Sequence, residues 1–188
     1  NVSVDMSSAS YFIALATIMG PCIFPQIHSK DPLQADSVLL DYIEFEITNS
    51  GIKVLKQIIK PFSLDASCCI DLVPTLCFIA SVNPGVFKLT GLDNLIYKET
   101  NRFEGIKSIL EFFNVNFKSD SSSIEIMSST IQTNSHSFTP LPDHRLVMMC
   151  SLFFKSLGFG EVGNADSVTK SFPSFFSCLE HEVDNFES

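Results

Sequence analysis

The feature that most constrains this chain is a plan that recurs three times along it. An Asp opens a polar stretch, an apolar run of helical length follows, and a Gly or Pro-Gly ends it. The copies run from Asp5 through Tyr11-Phe12-Ile13-Ala14-Leu15-Ala16 to Gly20, from Asp71 through Leu76-Cys77-Phe78-Ile79-Ala80 to Gly85, and from Asp143 through Leu146-Val147-Met148-Met149-Cys150 to Gly158. Their openings lie 66 and 72 residues apart, which marks an internal repeat. Each apolar helix leads into a short β-like stretch, at 22–27, 86–89 and 160–163, the last poor in β-formers. A second, amphipathic helix is expected at 34–49, 99–113 and 171–182; Ile106, Ile109, Leu110 and Phe113 give the middle one its spacing. Paired short strands are expected at 53–59 with 62–68, and at 114–117 with 123–127.

The plan reads as βαβαββ, repeated about three times at 1–60, 61–127 and 128–188, with the third copy cut short. Helices and strands alternate, so the fold class is α/β (α+β), in one lobe spanning 1–188. With 188 residues and 45% hydrophobic content, the chain can bury one substantial core. It begins at Asn1 and enters the pattern at once, as a piece of something larger would. The longest apolar runs, 11–19 and 146–154, fall short of the roughly 20 residues of a bilayer span, so no membrane segment or leader is expected.

The repeat also bears on chemistry. Its polar residues recur where helices begin, and helix starts present free N–H groups and the positive dipole end. Several such starts on one face would make an anion site. Taken singly, Ser7, Ser8 and Asp71 read equally well as N-caps.

The formal net charge of −9 excludes a basic nucleic-acid surface. The kind of positive charge is more telling than its sum: against ten lysines there are two arginines, Arg102 and Arg145. Guanidinium grips phosphate and carboxylate with two parallel bonds, and each Arg lies in a compact polar cluster. In Lys98-Glu99-Thr100-Asn101-Arg102 a helix is expected to place Lys98 and Arg102 on one face with Glu99 beside them. Asp143-His144-Arg145 opens a helix whose next residues are almost wholly apolar, so this pair points to a cleft or a partner domain. Asp71 sits among apolar residues, where burial raises a carboxylate pKa and nearby cations lower it; the balance can give a general base near neutrality. The six cysteines form no CxxC pair and lie mostly in apolar stretches. They are expected to be reduced core residues in a reducing, cytoplasmic-type compartment, with no metal site.

These segments together resemble the EPSP synthase family of enolpyruvyl transferases. Asp5-Met6-Ser7-Ser8-Ala9-Ser10-Tyr11-Phe12 resembles its D-x-S-S-A-S-Y-F helix, Leu33-Gln34-Ala35-Asp36 its L-Q-G-D, and Ile70-Asp71 its P-D segment. Lys98 to Arg102 resembles K-E-T/S-D-R, Asp143 to Arg145 is D-H-R, and Lys170-Ser171-Phe172-Pro173 resembles K-T/S-F/Y-P. All six occur in family order and cover nearly the whole chain.

The resemblance implies one lobe, largely the C-terminal half, of a two-lobe enzyme with its active site in the cleft between lobes. It implies transfer of the enolpyruvyl group of phosphoenolpyruvate to the 5-hydroxyl of shikimate 3-phosphate, by addition and elimination, without metal or organic cofactor. Arg102, His144, Arg145 and Lys170 match phosphoenolpyruvate-binding positions; Asp71, Asn94 and Lys98 match positions contacting shikimate 3-phosphate. Asp71 would take the hydroxyl proton, with Glu99 and Lys98 as the other catalytic groups. The missing N-terminal lobe of the same polypeptide would be the partner, the fragment alone would be inactive, and the full-length protein would be a monomer. The departures are Asn101 for the usual Asp, Ala35 for Gly, Ile70 for Pro, and a helix from Gln34 about one turn longer than usual. Two alternatives stand beside this: a lobe of the sister transferase acting on UDP-N-acetylglucosamine, and a non-catalytic homologue that binds anions or partners.

Overall fold

Three helices have no polar face to turn to water, and they therefore take the middle of the protein. In the computed structural model, which describes residues 4–127 and 130–184, these are α1 (Met6–Met19), α2 (Val73–Val82) and α4 (His144–Leu157). Every residue of α1 from Ser10 to Thr17 is buried, and so is every residue of α2 from Val73 to Ser81. They pack on one another and are the apolar runs of the threefold plan.

Three small sheets surround them. The first, in the order β1-β3-β2, is antiparallel and joins β1 (Cys22–Pro25), β2 (Phe45–Ile47) and β3 (Gly51–Val54). The second, in the order β4-β5-β7-β6, joins β4 (Ser63–Asp65), β5 (Val86–Thr90), β6 (Asn116–Ser119) and β7 (Ile124–Met127), with β4 parallel to β5. The third pairs β8 (Ser137–Phe138) with β9 (Glu161–Val162) in parallel. The outer helices are α3 (Arg102–Phe112), the short α5 (Asp166–Thr169) and α6 (Phe175–Asp184).

Three expectations are corrected. No long helix fills 34–49: a 3-10 stretch, Ala35–Asp41, is followed by the β2–β3 hairpin. The signal was present in Phe45-Glu46-Ile47-Thr48 and Ile52-Lys53-Val54, which alternate about Asn49-Ser50-Gly51, a turn sequence. The stretches 53–59 and 62–68 are not a strand pair, because β3 and β4 belong to different sheets. Finally, α3 begins at Arg102, so Lys98 and Glu99 precede it in extended or irregular chain.

One glycine sits where the site is assembled. A Cβ on Gly105 would lie 2.2 Å from Leu146 Cδ1, so any larger residue would make the Leu146 side chain or the helices shift. The packing of α3 on α4 seats the start of α3, Arg102, against the start of α4, Asp143.

Candidate active site

The three central helices bring their N-terminal ends together. Asp5 caps α1 by accepting from the Ser7 amide at 3.1 Å, and Asp143 caps α4 by accepting from the Arg145 amide at 2.9 Å. Ser10 of α1 and Thr75 of α2 share a buried hydrogen bond of 2.8 Å. Asp71 does not cap α2. It lies in the 3-10 turn Ile70–Leu72 that leads into that helix, and its carboxylate faces three cations instead. Pro74 in the first turn of α2 has no amide to satisfy.

Around Asp71 the distances are short. Arg102 Nη1 is 2.8 Å from Oδ1, Lys98 Nζ is 3.2 Å from Oδ1, and Arg145 Nη2 is 3.3 Å from Oδ2. Arg145 Nη1 also donates to the Asp71 carbonyl at 3.2 Å. Burial acts to raise the Asp71 pKa, but Arg145, Lys98 and Arg102 outweigh it, and the carboxyl is held below its usual range. The balance left open by the sequence thus falls on the acid side in this arrangement.

Arg102 differs from the free ligand-gripping group expected of it. Its side chain is 2% exposed, and its Nε is spent on Asp143 Oδ2 at 2.8 Å, with Asp143 itself at 0%. A buried guanidinium demands such partners, since an unpaired charge there would be far costlier than the pair. Arg145, at 13%, lies nearer the surface, as does Asp71 at 35%. His144 Nδ1 stands 3.1 Å from Glu99 Oε2, so Glu99 is tied to the cluster from outside α3.

Two expected site residues are not joined to this cluster. Asn94, on the 3-10 turn Asp93–Tyr97, is exposed and makes no hydrogen bond to it among the described residues. Lys170 caps the end of α5 and is exposed without an ion pair among the described residues. Its segment is nonetheless anchored beside α1, where Phe172 meets Phe12 at 5.7 Å and Phe175 meets Tyr11 at 6.3 Å between ring centres.

Two acids of the site escaped sequence reasoning. In the sequence Asp143 opens a helix and heads the Asp143-His144-Arg145 cluster without a role of its own, although an acid directly before an apolar helix, with few arginines in the chain, is a candidate buried ion-pair partner. Asp36 is 9% exposed and takes a hydrogen bond from Ser7 Oγ. Burial pushes its pKa up, against the pull of Ser7 and Arg145. Tyr11, whose hydroxyl reaches the Arg145 carbonyl at 3.4 Å, is likewise pushed up to about 12 by burial.

Glu99, Asp143 and His144 offer ligand atoms within 4.8 Å of one another. Both Asp143 oxygens already accept, from Arg102 Nε and the Arg145 amide, and Glu99 faces His144. Cys68, Cys69, Cys77, Cys150 and Cys178 carry free thiols. Cys69, Cys77 and Cys150 are buried, and burial raises their thiols, to about 11 for Cys69 and about 12 for Cys150. Cys68 departs from the expected core role and is exposed.

The departures Asn101 and Ala35 have local explanations. Asn101 caps α3, its Oδ1 accepting the Glu104 amide at 3.2 Å, and Asn caps as well as Asp. Ala35 starts its 3-10 stretch exposed and without a positive φ, so its methyl meets no obstacle. Since that stretch is only 7 residues, the expected extra helical turn is absent.

Three sheets around three helices, with helix starts gathered on a cluster of Lys, Arg, Asp and His, define an enolpyruvyl transferase lobe. The same fold occurs in EPSP synthase from Acinetobacter baumannii (TM-score 0.75, 20% identity) over 96% of this chain and 46% of that one. It occurs also in the enolpyruvyl transferase NikO from Streptomyces tendae (TM-score 0.71, 11% identity), over 96% and 43%. The chain belongs to the EPSP synthase (3-phosphoshikimate 1-carboxyvinyltransferase) family, whose model matches residues 1–179. Relatives named 3-phosphoshikimate 1-carboxyvinyltransferase are 30% identical in Syntrophobacter fumaroxidans and 31% in Thermoplasma volcanium, each over 95% of this chain. The chain spans 44% of the length of both relatives. Among the described residues no helix is long and apolar enough to cross a membrane.

Proposed function

We propose that this chain is the C-terminal lobe of an enzyme that transfers the enolpyruvyl group of phosphoenolpyruvate to the 5-hydroxyl of shikimate 3-phosphate. The observation that carries the reading is the gathering of Lys98, Arg102 and Arg145 on Asp71, where three central helices begin. The substrates bring two phosphates and a carboxylate to one place, and fixed cations and helix starts offset that repulsion.

In the proposed reaction the 5-hydroxyl oxygen bonds to C2 of phosphoenolpyruvate while Asp71 takes the hydroxyl proton. A proton enters at the methylene carbon from the Glu99 and Lys98 pair of groups, giving a tetrahedral intermediate. Loss of a methyl proton and of phosphate then restores the double bond. Arg145, His144 and Lys170 hold phosphoenolpyruvate, with Arg102 contributing from beneath; Asn94 and Lys98 hold shikimate 3-phosphate. The low pKa of Asp71 fits this sequence, because it depends on cations that an arriving anion also engages. As phosphate draws on Arg145 and Lys98, the carboxyl regains basicity where the hydroxyl arrives.

The facing wall belongs to the other lobe of the same polypeptide, and the working enzyme is a monomer in a reducing, cytoplasmic-type compartment; the free thiols of Cys68, Cys69, Cys77, Cys150 and Cys178 support the last point. Phosphate release from both substrates tests the reading. Full-length protein should turn over, Lys98→Ala and Arg145→Ala should abolish turnover, and residues 1–188 alone should show none. Turnover with UDP-N-acetylglucosamine in place of shikimate 3-phosphate, or binding of both substrates without product, would overturn it.

A further inference from the structure

Tyr11 carries a hydroxyl that the core does not need. The buried face of α1 from Phe12 to Ala16 is apolar, and a phenylalanine at position 11 would bury the same ring. A hydroxyl is costly to enclose unless its bonds to water are replaced. The Tyr11 side chain is fully buried, so whatever holds its hydroxyl lies inside the protein.

What holds it belongs to Arg145. The hydroxyl donates to the Arg145 carbonyl at 3.4 Å, a long bond for an O–H donor. That carbonyl lies in the first turn of α4, where the helix ladder already engages it, so the backbone has no need of the contact. The phenolic oxygen keeps lone pairs, and the Arg145 guanidinium takes Tyr11 as a hydrogen-bonding partner. The ring is fixed as well: it meets Phe175 edge-on, with 6.3 Å between ring centres and 84° between planes. Phe175 is itself buried, its amide bonds to the Phe172 carbonyl at 3.1 Å, and the Phe172 amide bonds to the Val168 carbonyl at 2.8 Å. One buried side chain of α1 therefore touches both the start of α4 and the segment that carries Lys170.

We propose that Tyr11 is a positioning residue for Arg145: its hydroxyl steadies the guanidinium at the mouth of the site, in the orientation that receives the phosphoenolpyruvate anion. The identity of that anion rests on the function proposed above, whereas the steadying rests on the geometry alone. Asp71 also grips Arg145, through Oδ2 at 3.3 Å and through its carbonyl at 3.2 Å. In the proposed reaction, however, Asp71 takes the hydroxyl proton, and a neutral carboxyl loses the charge that drew the guanidinium to it. A phenol suits the gap this leaves. Burial pushes the Tyr11 pKa up to about 12, so the hydroxyl neither gains nor loses a proton while Asp71 changes state. Tyr11 thus supplies the hold on Arg145 that is the same before and after the proton moves.

The test uses the full-length protein with Tyr11→Phe. The KM for phosphoenolpyruvate should rise about three- to tenfold, the worth of one hydrogen bond, while kcat and the KM for shikimate 3-phosphate stay within about twofold. In an Arg145→Gln background the same substitution should change nothing further, because the two side chains act as one unit. A rise common to both KM values, or an undiminished effect beside Arg145→Gln, overturns the proposal and makes Tyr11 a general prop of the core. NMR relaxation of the Arg145 Nε–H group gives a readout that needs no substrate. Its order parameter should be about 0.8 in the unsubstituted protein and fall below about 0.6 with Tyr11→Phe. Equal values in the two proteins overturn the proposal. So does a mobile guanidinium in the unsubstituted protein, a result that stands even if Tyr11→Phe fails to fold. Absence of turnover in the unsubstituted protein would instead overturn the proposed function, and the order parameters would still decide the role of Tyr11.

Discussion

Arg102 and Arg145 both reach Asp71, yet they live in different surroundings. Arg102 is enclosed, with Nε on the fully buried Asp143 and Nη1 on Asp71. Arg145 stands at the mouth, with Nη2 beside Asp71 Oδ2, the one carboxylate it pairs with among the described residues, and Nη1 donating to the Asp71 carbonyl. Under the proposed function two residues of one type divide the work: the inner one holds the ends of α3 and α4 together, and the outer one would present charge to an arriving anion. If that division is right, substitutions at the inner pair should be felt in stability and those at the mouth in binding.

The largest effect is expected at Asp143. Asp143→Ala leaves the Arg102 charge buried against a single remaining carboxylate and removes the α4 cap. Breaking a buried pair from one side costs about 3–5 kcal/mol, so chemical denaturation of the protein should show a loss of that order. Replacing both partners, Asp143→Ala with Arg102→Met, should recover a large share of it. A double variant as unstable as the single one would mean that Arg102 is not the reason Asp143 matters.

Gly105→Ala comes next. The added methyl would meet Leu146 Cδ1 at 2.2 Å and force that buried side chain, or α3 itself, to shift. Overpacking of this kind costs about 1–3 kcal/mol, and it should lower activity too, by displacing Arg102 from Asp71. An unchanged melting temperature would show that the two helices have room to spare.

At the mouth the balance reverses. Arg145→Gln should change stability by no more than about 1 kcal/mol, the scale of a partly exposed pair. In the full-length protein it should nevertheless raise the KM for phosphoenolpyruvate at least tenfold. A stability loss matching that of Asp143→Ala, with KM unaltered, would erase the distinction between the two arginines.

Sequence reasoning saw this cluster but not its depth. The helix starts and a cluster holding Lys98 and Arg102 were accessible because Asp, Gly and apolar spacing record them directly, but the acid between the two cations is Asp71 and not the Glu99 expected beside them. Lys98 and Arg102 do converge, though through a bend before α3 rather than along one helical face, since Asn101 caps the helix between them. Burial was the harder quantity: nothing local to Arg102 distinguishes it from Arg145, and the difference arises from the packing of α3 on α4, which joins residues far apart in the chain. Similarly, Ala35 to Asp41 carries helical composition, but the β-formers of 43–54 claimed the chain first, and the helix stopped at a short 3-10 stretch.

The smallest effect should be the most discriminating, because two acids of the same mouth are pushed in opposite directions. Asp71 is held low: burial alone would raise it, but Arg145, Lys98 and Arg102 prevail. Its contribution to stability is therefore present above the ordinary carboxylate pKa, near pH 4. That contribution fades as the pH falls through the lowered folded value. Asp36 is raised, burial prevailing over Ser7 and Arg145, so its contribution is full below the ordinary value and is lost as the pH rises through the raised one. Asp71→Asn should accordingly flatten the acid side of a stability–pH curve, and Asp36→Asn the side above about pH 4. If both substitutions flattened the same side, the two carboxylates would share one environment. The mouth would then be a single ionic cluster, rather than a cation-held base beside a buried acid.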